Sequence, residues 1–491
     1  MKDITIKGLE SNSSAFKKTP TLCYLPFIHM EADAKGWLKP CCMAEDPVCK
    51  GTPITDFHPG DKATLADPYD LNKGDTVSDA FNSSDMKQMR QDFLDGKKPI
   101  ACKKCWDEED AGLESKRIGW ARYFSNHFPQ LQNIFEKNIT EQDITYLDLK
   151  LGTICNLKCR ICGSWSSSKW AQEEIEIDIK FHGRKKEDTK KLPAYYNLKQ
   201  GEWPRKNPKF WEDLEMILPN VKHLEFTGGE PWMIKEHFEV LRTLIDKEHA
   251  KNISLHYNTN GTQLPKKEFD EILPHFKHCK ISFSVDDTGD RFEYQRYGAK
   301  WNEVNENIEY ICNNKKHMTT EICTTINLFN LHNLIDVAEW VSNIKNLDSW
   351  YINLMHYPAK FNIAIHDDSV KDIIAHDFES YDWNKLTSKA RQNNNKVDFE
   401  LIYTSQIKPI ISYMHDHDPH LGHKEDDNQN LQRYMLTDIY KIDSVRNKTL
   451  NEVDEALAEH IGYDFDKIDS LRAAKTPEEQ LNFLATPSNV A

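Results

Sequence analysis

From Ile144 to Phe378 the chain repeats one pattern: a short run alternating apolar and polar residues, a polar turn, then an apolar stripe at helical spacing. The runs are Ile144–Leu151, Val221–Phe226, Ile253–Tyr257, Lys280–Val285, Thr320–Ile326 and Tyr351–Pro358. The stripes between them lie at Ser166–Ile179, at Phe238, Leu241, Leu244 and Ile245, at Phe269 and Ile272, over Trp301–Ile311, and over Leu331–Ile344; a helix at Ser369–Phe378 closes the series. Residues 181–218 are basic, contain proline and read as an insertion. Six strand–helix units in succession predict an α/β fold with a partial (β/α)6 parallel barrel. Upstream, residues 1–22 are polar. Two strand-like runs, Cys23–Met30 and Trp37–Cys42, flank an Asp/Gly turn in Glu31–Gly36 and predict a hairpin. Residues 45–74 read as loop. Ser83 can then cap a helix with Met86, Met89 and Phe93 on one face, stopped by Gly96 and Pro99. Beyond residue 380 the alternation is lost and helices are expected, with Thr476-Pro477-Glu478-Glu479 a helix start. The expected organisation is a small N-terminal cysteine-rich module (1–112), a helical connector (113–143), the barrel (144–380) and a mostly helical C-terminal extension (381–491).

Unusual residues collect just past the strand ends. These are Cys155, Cys159 and Cys162 after the first strand, Gly228-Gly229-Glu230-Pro231 after the second, Asn258-Thr259-Asn260-Gly261 after the third, Asp286-Asp287 after the fourth and Asn327 after the fifth. That is the end at which parallel α/β barrels build active sites. Within the strands, Glu225, His256, Asn258, Ser282, Ser284 and Asp286 form polar inner positions, where a closed barrel would carry branched apolar side chains. The polar stripe predicts an open lumen that receives a ligand. The cysteine loop is C-x3-C-x2-C and supplies three thiolates. A closed structural zinc site takes four ligands. The loop therefore either borrows a distant fourth ligand or stays open to a small molecule, and the strand ends that follow argue for the second.

The N-terminal hairpin would bring Cys23 near Cys41 or Cys42, and the helix after Ser83 delivers Cys102 and Cys105. Four sulfurs suit zinc or an iron–sulfur cluster. Cys41 and Cys42 are adjacent, so on a strand they face opposite ways and only one is expected to ligate. Of the 12 cysteines, the other free ones (Cys49, Cys279, Cys312, Cys323) read as non-ligands, the last three as buried thiols. His415, His417, His420 and His423 resemble a metal tract but read as a solvated loop, and the basic run Arg184–Lys191 as a solvated face. The chain of 491 residues suits two or three domains, and 39% apolar residues can build a sizeable core. A net charge of -15 argues against a primary nucleic-acid or anionic-membrane binder. No run reaches the ~18 apolar residues of a membrane span, and the start lacks the apolar core of a signal peptide. A cytoplasmic protein with reduced thiols is expected.

The cysteine loop, the Gly-Gly-Glu-Pro at 228–231 and the Thr-Asn-Gly at 259–261 together resemble the radical S-adenosylmethionine (SAM) enzymes over roughly residues 144–360. The N-terminal cysteines resemble an auxiliary-cluster module of the twitch type, a shortened relative of the SPASM domain, here placed before the barrel. The resemblance implies that Cys155, Cys159 and Cys162 ligate a [4Fe-4S] cluster whose fourth iron takes the amino and carboxylate groups of SAM. Reductive cleavage of SAM would then give a 5′-deoxyadenosyl radical that takes hydrogen from a substrate. It implies SAM contacts at Gly228, Gly229 and Glu230 (the methionine amine), at Ser284 or Asp286 (the ribose), and at Arg296 (the carboxylate, suited to its forked donors). Asn260 and Asn327 are further polar candidates. Ile161 stands where many relatives carry an aromatic residue near adenine, so it offers apolar contact without stacking. Beside such a core, Cys23, Cys41, Cys102 and Cys105 are expected to hold a second [4Fe-4S] cluster, with Cys42 the substitute for Cys41. Full protein ligation favours electron transfer over substrate anchoring. The expected partners are a reductase or a flavodoxin- or ferredoxin-type electron donor, and a peptide or protein substrate. A small-molecule or carbohydrate dehydrogenase is the alternative enzyme, and a zinc-stabilised binding protein the alternative of another class. No residue is singled out as acting on substrate.

Overall fold

The computed structural model describes residues 19–51, 67–110, 112, 114–127, 134–136, 140, 142–356, 358–417, 428–446 and 448–485. Much of the expected loop 45–74, part of the connector 113–143, Tyr357, His420 and His423 lie outside them. The strands are β1 (His29–Ala32), β2 (Leu38–Lys39), β3 (Tyr146–Leu149), β4 (Lys158–Cys159), β5 (His223–Phe226), β6 (Ser254–Thr259), β7 (His278–Ser284), β8 (Arg296–Tyr297), β9 (Met318–Ile326) and β10 (Ser349–Leu354). The chain falls into two compact units, and it passes from one to the other within β6 and within β7.

The first unit comprises Met1–Thr153, Gln200–Tyr257 and Pro265–Cys279. Its strands run in the order β2, β1, β3, β5, β6. The β1–β2 pair is antiparallel, while β1–β3, β3–β5 and β5–β6 are parallel. Parallel pairing of β1 with β3 was not legible in the sequence, which placed the N-terminal run in a free hairpin. That run is also shorter than expected. Leu25–Ile28 is a helical turn, with Pro26 in its first turn, where a missing N–H costs nothing. Strand character begins only at His29. The helix Ser84–Leu94 forms as expected: the Ser83 hydroxyl accepts from the Met86 N–H, and Met86, Met89 and Phe93 are buried. The second part of the presumed insertion is ordered, with helices Trp203–Lys206 and Pro208–Ile217 packing Trp203 and Phe210 edge to face at 4.7 Å. In the helix Lys235–Asp246 the buried face is His237, Val240, Leu241 and Leu244, a rotation from the expected stripe that leaves Phe238 and Ile245 half-buried.

The second unit comprises Ile154–Lys199, Asn258–Leu264 and Lys280–Ala491. Its strands run β7, β9, β10, the last two parallel, and the short β4 pairs antiparallel with β8. Behind β9 and β10 the expected C-terminal helices form. They build an apolar core around Tyr294, Phe329, Ile439, Tyr440, Leu457 and Leu471. Of the histidine tract, His417 is placed, its ring stacked on Tyr413 at 4.3 Å. Both units are thus α/β, the first with mostly parallel strands, and no helix among the described residues is long and apolar enough to cross a membrane.

Buried histidines set an acid limit on this fold. Burial lowers His29 to about 4 and His237 to about 3 in the first unit, and His366 to about 3 in the second, all from 6.5. Each is neutral when folded and takes a proton below about 6.5 when unfolded, so the unfolded chain binds more protons and stability falls as pH falls. Between pH 6.5 and the folded values each histidine costs up to ~1.4 kcal/mol per pH unit. Asp148 and Asp287, raised by burial to about 8 and about 7, act with the opposite sign, gaining stability as pH falls. The histidine share is therefore read by difference: the loss of urea midpoint between pH 6 and 5 should shrink in folded His237→Gln and His366→Gln variants, and an unchanged loss would contradict the assignment.

Candidate active site and cysteine centres

The cluster loop belongs to the second unit, and its cysteines are held by backbone pairing rather than by chance proximity. Cys159 sits on β4 opposite Arg296 on β8, and Lys158 sits opposite Tyr297. The Arg160 N–H donates to the Gln295 carbonyl at 2.8 Å. The Trp170 Nε1–H donates to the Cys159 carbonyl at 2.5 Å. Ser167 caps the helix Ser168–His182 that follows, and its hydroxyl donates to the Leu157 carbonyl at 2.7 Å. Burial raises the Cys159 thiol, with Arg296 pulling the other way. Burial also raises Cys162, reinforced by the neighbouring Cys159 and Cys155. Desolvated Cys159 and Cys162 are poor thiolates alone and would be good ones on a metal, where binding expels the protons.

Around them stand the other expected residues of this unit. Asn260 places Nδ2 3.9 Å from Cys155 Sγ and 3.1 Å from Asn156 Oδ1, and its Oδ1 accepts from the Thr262 N–H. It therefore tethers the loop. Arg296 places Nη1 4.0 Å from Cys159 Sγ and Nη2 2.8 Å from Asp286. Its Nε is buried without a hydrogen-bond partner. Asp286 and Arg296, expected at the ribose and at the carboxylate of SAM, are paired with each other. Asp286 does not cap a helix; its Oδ1 accepts from the Thr325 N–H at 3.0 Å. Ser284 is half-buried at the end of β7. Asn327 does not point its amide outward: Nδ2 donates to the Thr325 carbonyl and Oδ1 accepts from the Phe329 N–H, both at 2.9 Å. It is fully buried and serves its own turn. Ile161 packs against the apolar core of the C-terminal helices.

Sequence reasoning missed what secures the loop from behind. Arg160, between Cys159 and Ile161, forms a fully buried ion pair with Asp443 of the C-terminal helix Asn428–Val445. Its guanidinium lies 3.5 Å from the Tyr294 ring centroid. Asp443 also accepts from the Tyr463 hydroxyl at 2.8 Å and the Leu450 N–H at 2.9 Å. Next to it, Glu173 accepts from Arg446 and from Lys158, each at 2.6 Å. Nothing local in the sequence links residue 160 to residue 443.

The Gly-Gly-Glu turn lies in the first unit. Gly228 and Gly229 have φ of 68° and 59°, the left-handed region. A Cβ on Gly228 would come within 2.8 Å of the Lys150 side chain. Glu230 is fully buried, and its Oε1 accepts from the Trp232 N–H at 3.2 Å, which orders the turn Pro231–Met233.

The second cysteine group also lies in the first unit. Cys23, Cys41, Cys102 and Cys105 line one cavity with Leu25, Met43, Phe93 and Arg117. Burial pushes Cys23 up to about 12, with Cys41 adding to it. Burial raises Cys102 as well, and Cys41, Cys23 and Cys105 reinforce the shift. Four sulfurs on one shared cavity are a donor set that could hold a thiolate-bound metal. Cys42 is not among them. Its Sγ takes the ammonium of Lys116, itself a cavity-lining residue, at 2.8 Å. Cys49 also stays out, its Sγ 3.4 Å from the Pro47 carbonyl.

Residues 149–342 match the model of the radical SAM superfamily, and the chain therefore carries a radical SAM superfamily domain. Among solved structures the chain is similar to anSMEcpe with bound AdoMet, at 17% identity and a TM-score of 0.32 over 54% of this chain and 66% of that one. It is also similar to Streptococcus suis SuiB bound to S-adenosylmethionine, at 13% identity and a TM-score of 0.29 over 82% of this chain and 84% of that one. The match to anSMEcpe thus spans just under two thirds of its length. A search of the curated proteins returned no match.

Proposed function

We propose that the chain is a radical SAM enzyme with one auxiliary [4Fe-4S] cluster, modifying a peptide or protein side chain. In this reading Cys155, Cys159 and Cys162 hold the SAM-binding cluster, and Cys23, Cys41, Cys102 and Cys105 hold the auxiliary one. When bound, the first cluster and SAM supply reductive cleavage to a 5′-deoxyadenosyl radical, and the second cluster supplies a path for the electron. The chain's own residues hold the geometry. Asn260 and the β4–β8 pairing fix the loop at Cys155 and Cys159. The partnerless Nε of Arg296 is a donor available to a carboxylate. Gly228 and Gly229 open the backbone to a close approach. The observation that carries the reading is the cavity lined by four cysteines, in a chain whose three-cysteine loop has its own supports. The peptide or protein substrate rests on the resemblance to twitch and SPASM enzymes. A flavodoxin- or ferredoxin-type protein, or a reductase, would deliver the electron.

Anaerobic reconstitution tests it. The expected yield is about eight iron and eight sulfide per chain, with 5′-deoxyadenosine released from SAM under reduction. Zinc in place of iron, with SAM left intact, would overturn the reading in favour of a zinc-stabilised binding protein.

A further inference from the structure

The first unit carries a second buried polar constellation that the cysteine centres do not use. Register places it. Glu31, Asp148, Glu225 and His256 pair in one row across β1, β3, β5 and β6. His29, Tyr146 and His223 form the adjacent row on the same side, two residues back on each strand. Within this stripe, His223 and Glu225 share one face of β5, and His256 stands directly across from Glu225 on β6.

We infer that His223, Glu225 and His256 form a binding site for one divalent transition-metal ion. One ligand atom from each residue can be chosen so that all three lie within 4.8 Å of one another. His256 Nδ1 and Glu225 Oε1 are already 3.4 Å apart. Ligand bonds of about 2.1 Å place neighbouring donors roughly 3–3.5 Å apart, so only a small closure is needed at His223. Two imidazoles and one carboxylate suit Zn2+, Fe2+ or Co2+ and leave coordination positions open. The three come from paired strands, so their spacing is set by the sheet and not by a loop.

The surroundings fit the role. Tyr146 donates its hydroxyl to Oε2 of Glu225, the oxygen other than the one facing His256, which orients the carboxylate. The Trp120 and Tyr146 rings stand edge-on to His223 at 5.5 and 4.8 Å, a low-polarity wall beside the imidazole. His223 and Glu225 are each 5% exposed, which takes the site out of bulk water. Two buried cations stand by the row: Lys116 donates to Cys42 while its charge also bears on Glu225, and Lys150 pairs with Glu31. The polar stripe noted in the sequence at Glu225 and His256 thereby gains a chemical identity independent of SAM.

The test is titration of the full chain, with its cysteine centres loaded, by Co2+ under anaerobic dialysis. The expected result is one Co2+ per chain, with cobalt X-ray absorption reporting nitrogen and oxygen ligands and no sulfur. His223→Ala, His256→Ala and Glu225→Gln should each weaken binding at least ~100-fold, and Tyr146→Phe about 10-fold. Iron content and circular dichroism equal to the parent show that a variant has folded. If the ligand variants fail to fold, the cobalt spectrum of the parent and the Tyr146→Phe affinity still decide. No Co2+ bound, sulfur in the cobalt shell, or parental affinity in folded His223→Ala would each overturn the inference.

Discussion

Alanine at Cys155, Cys159 and Cys162 together is expected to abolish 5′-deoxyadenosine formation while retaining about half the iron, because each [4Fe-4S] cluster carries four iron atoms. The two cysteine groups have independent supports. The three-cysteine loop is held by the β4–β8 pairing, Trp170 and Arg160 within the second unit. The four-cysteine cavity is built by the N-terminal turn, the segment after β2 and the helix Lys103–Asp110 within the first. Removing one donor set leaves the other intact. The complementary variant, Cys102→Ala with Cys105→Ala, should keep SAM cleavage and lose the other half of the iron. Iron and sulfide analysis with quantification of 5′-deoxyadenosine checks both. Loss of all the iron in either variant would show that the cysteines serve a single centre.

Asp443→Ala is expected to cost the fold about 3–5 kcal/mol, because it leaves Arg160 as a buried charge with no counter-ion. The side chains of Arg160 and Asp443 are 1% and 0% exposed. The loss does not stop at the ion pair, since Tyr463 and the Leu450 N–H lose the same acceptor. Arg160 sits between two cluster cysteines, so the damage should be directional: iron in the SAM-binding centre becomes labile while the four-cysteine centre is retained. Replacing both charges, Arg160→Met with Asp443→Leu, should recover much of the stability, as apolar replacements of buried pairs often do. Thermal unfolding and iron retention after desalting measure the two effects separately. A single variant with parental iron retention would rule out the bracing role.

What could be read from the sequence was what is local. The three cysteines, the glycine pair and the strand alternation are each fixed by spacing over a few residues, and they fall where the pattern placed them. Ser83, at its helix start, was equally legible. Where a local rule had two outcomes, spacing alone could not choose. Asn327 at a strand end was expected near SAM, and its amide bonds within its own turn. Cys23–Met30 fits either a strand or a proline-started helical turn, and Leu25–Ile28 took the second. The rest depended on distance along the chain. Arg160 meets Asp443 across 283 residues. The facing of Cys41 and Cys42 was a two-way choice until packing set Lys116 against Cys42.

Parallel pairing of β1 with β3 constrains how the chain is made. Tyr146–Leu149 must leave the ribosome before His29–Ala32 has a neighbour on that side. Until then β1 has only the two-residue β2 for a partner, too little to be stable alone. Cys23, Cys41, Cys102 and Cys105 all precede Tyr146 in the chain, so each is made before its segment is locked into the sheet. Delivery of iron and sulfide is easiest in that window, because Cys23 and Cys105 each end 6% exposed in the finished fold. In the proposed two-cluster enzyme, loading of the four-cysteine centre would then depend on the timing of translation.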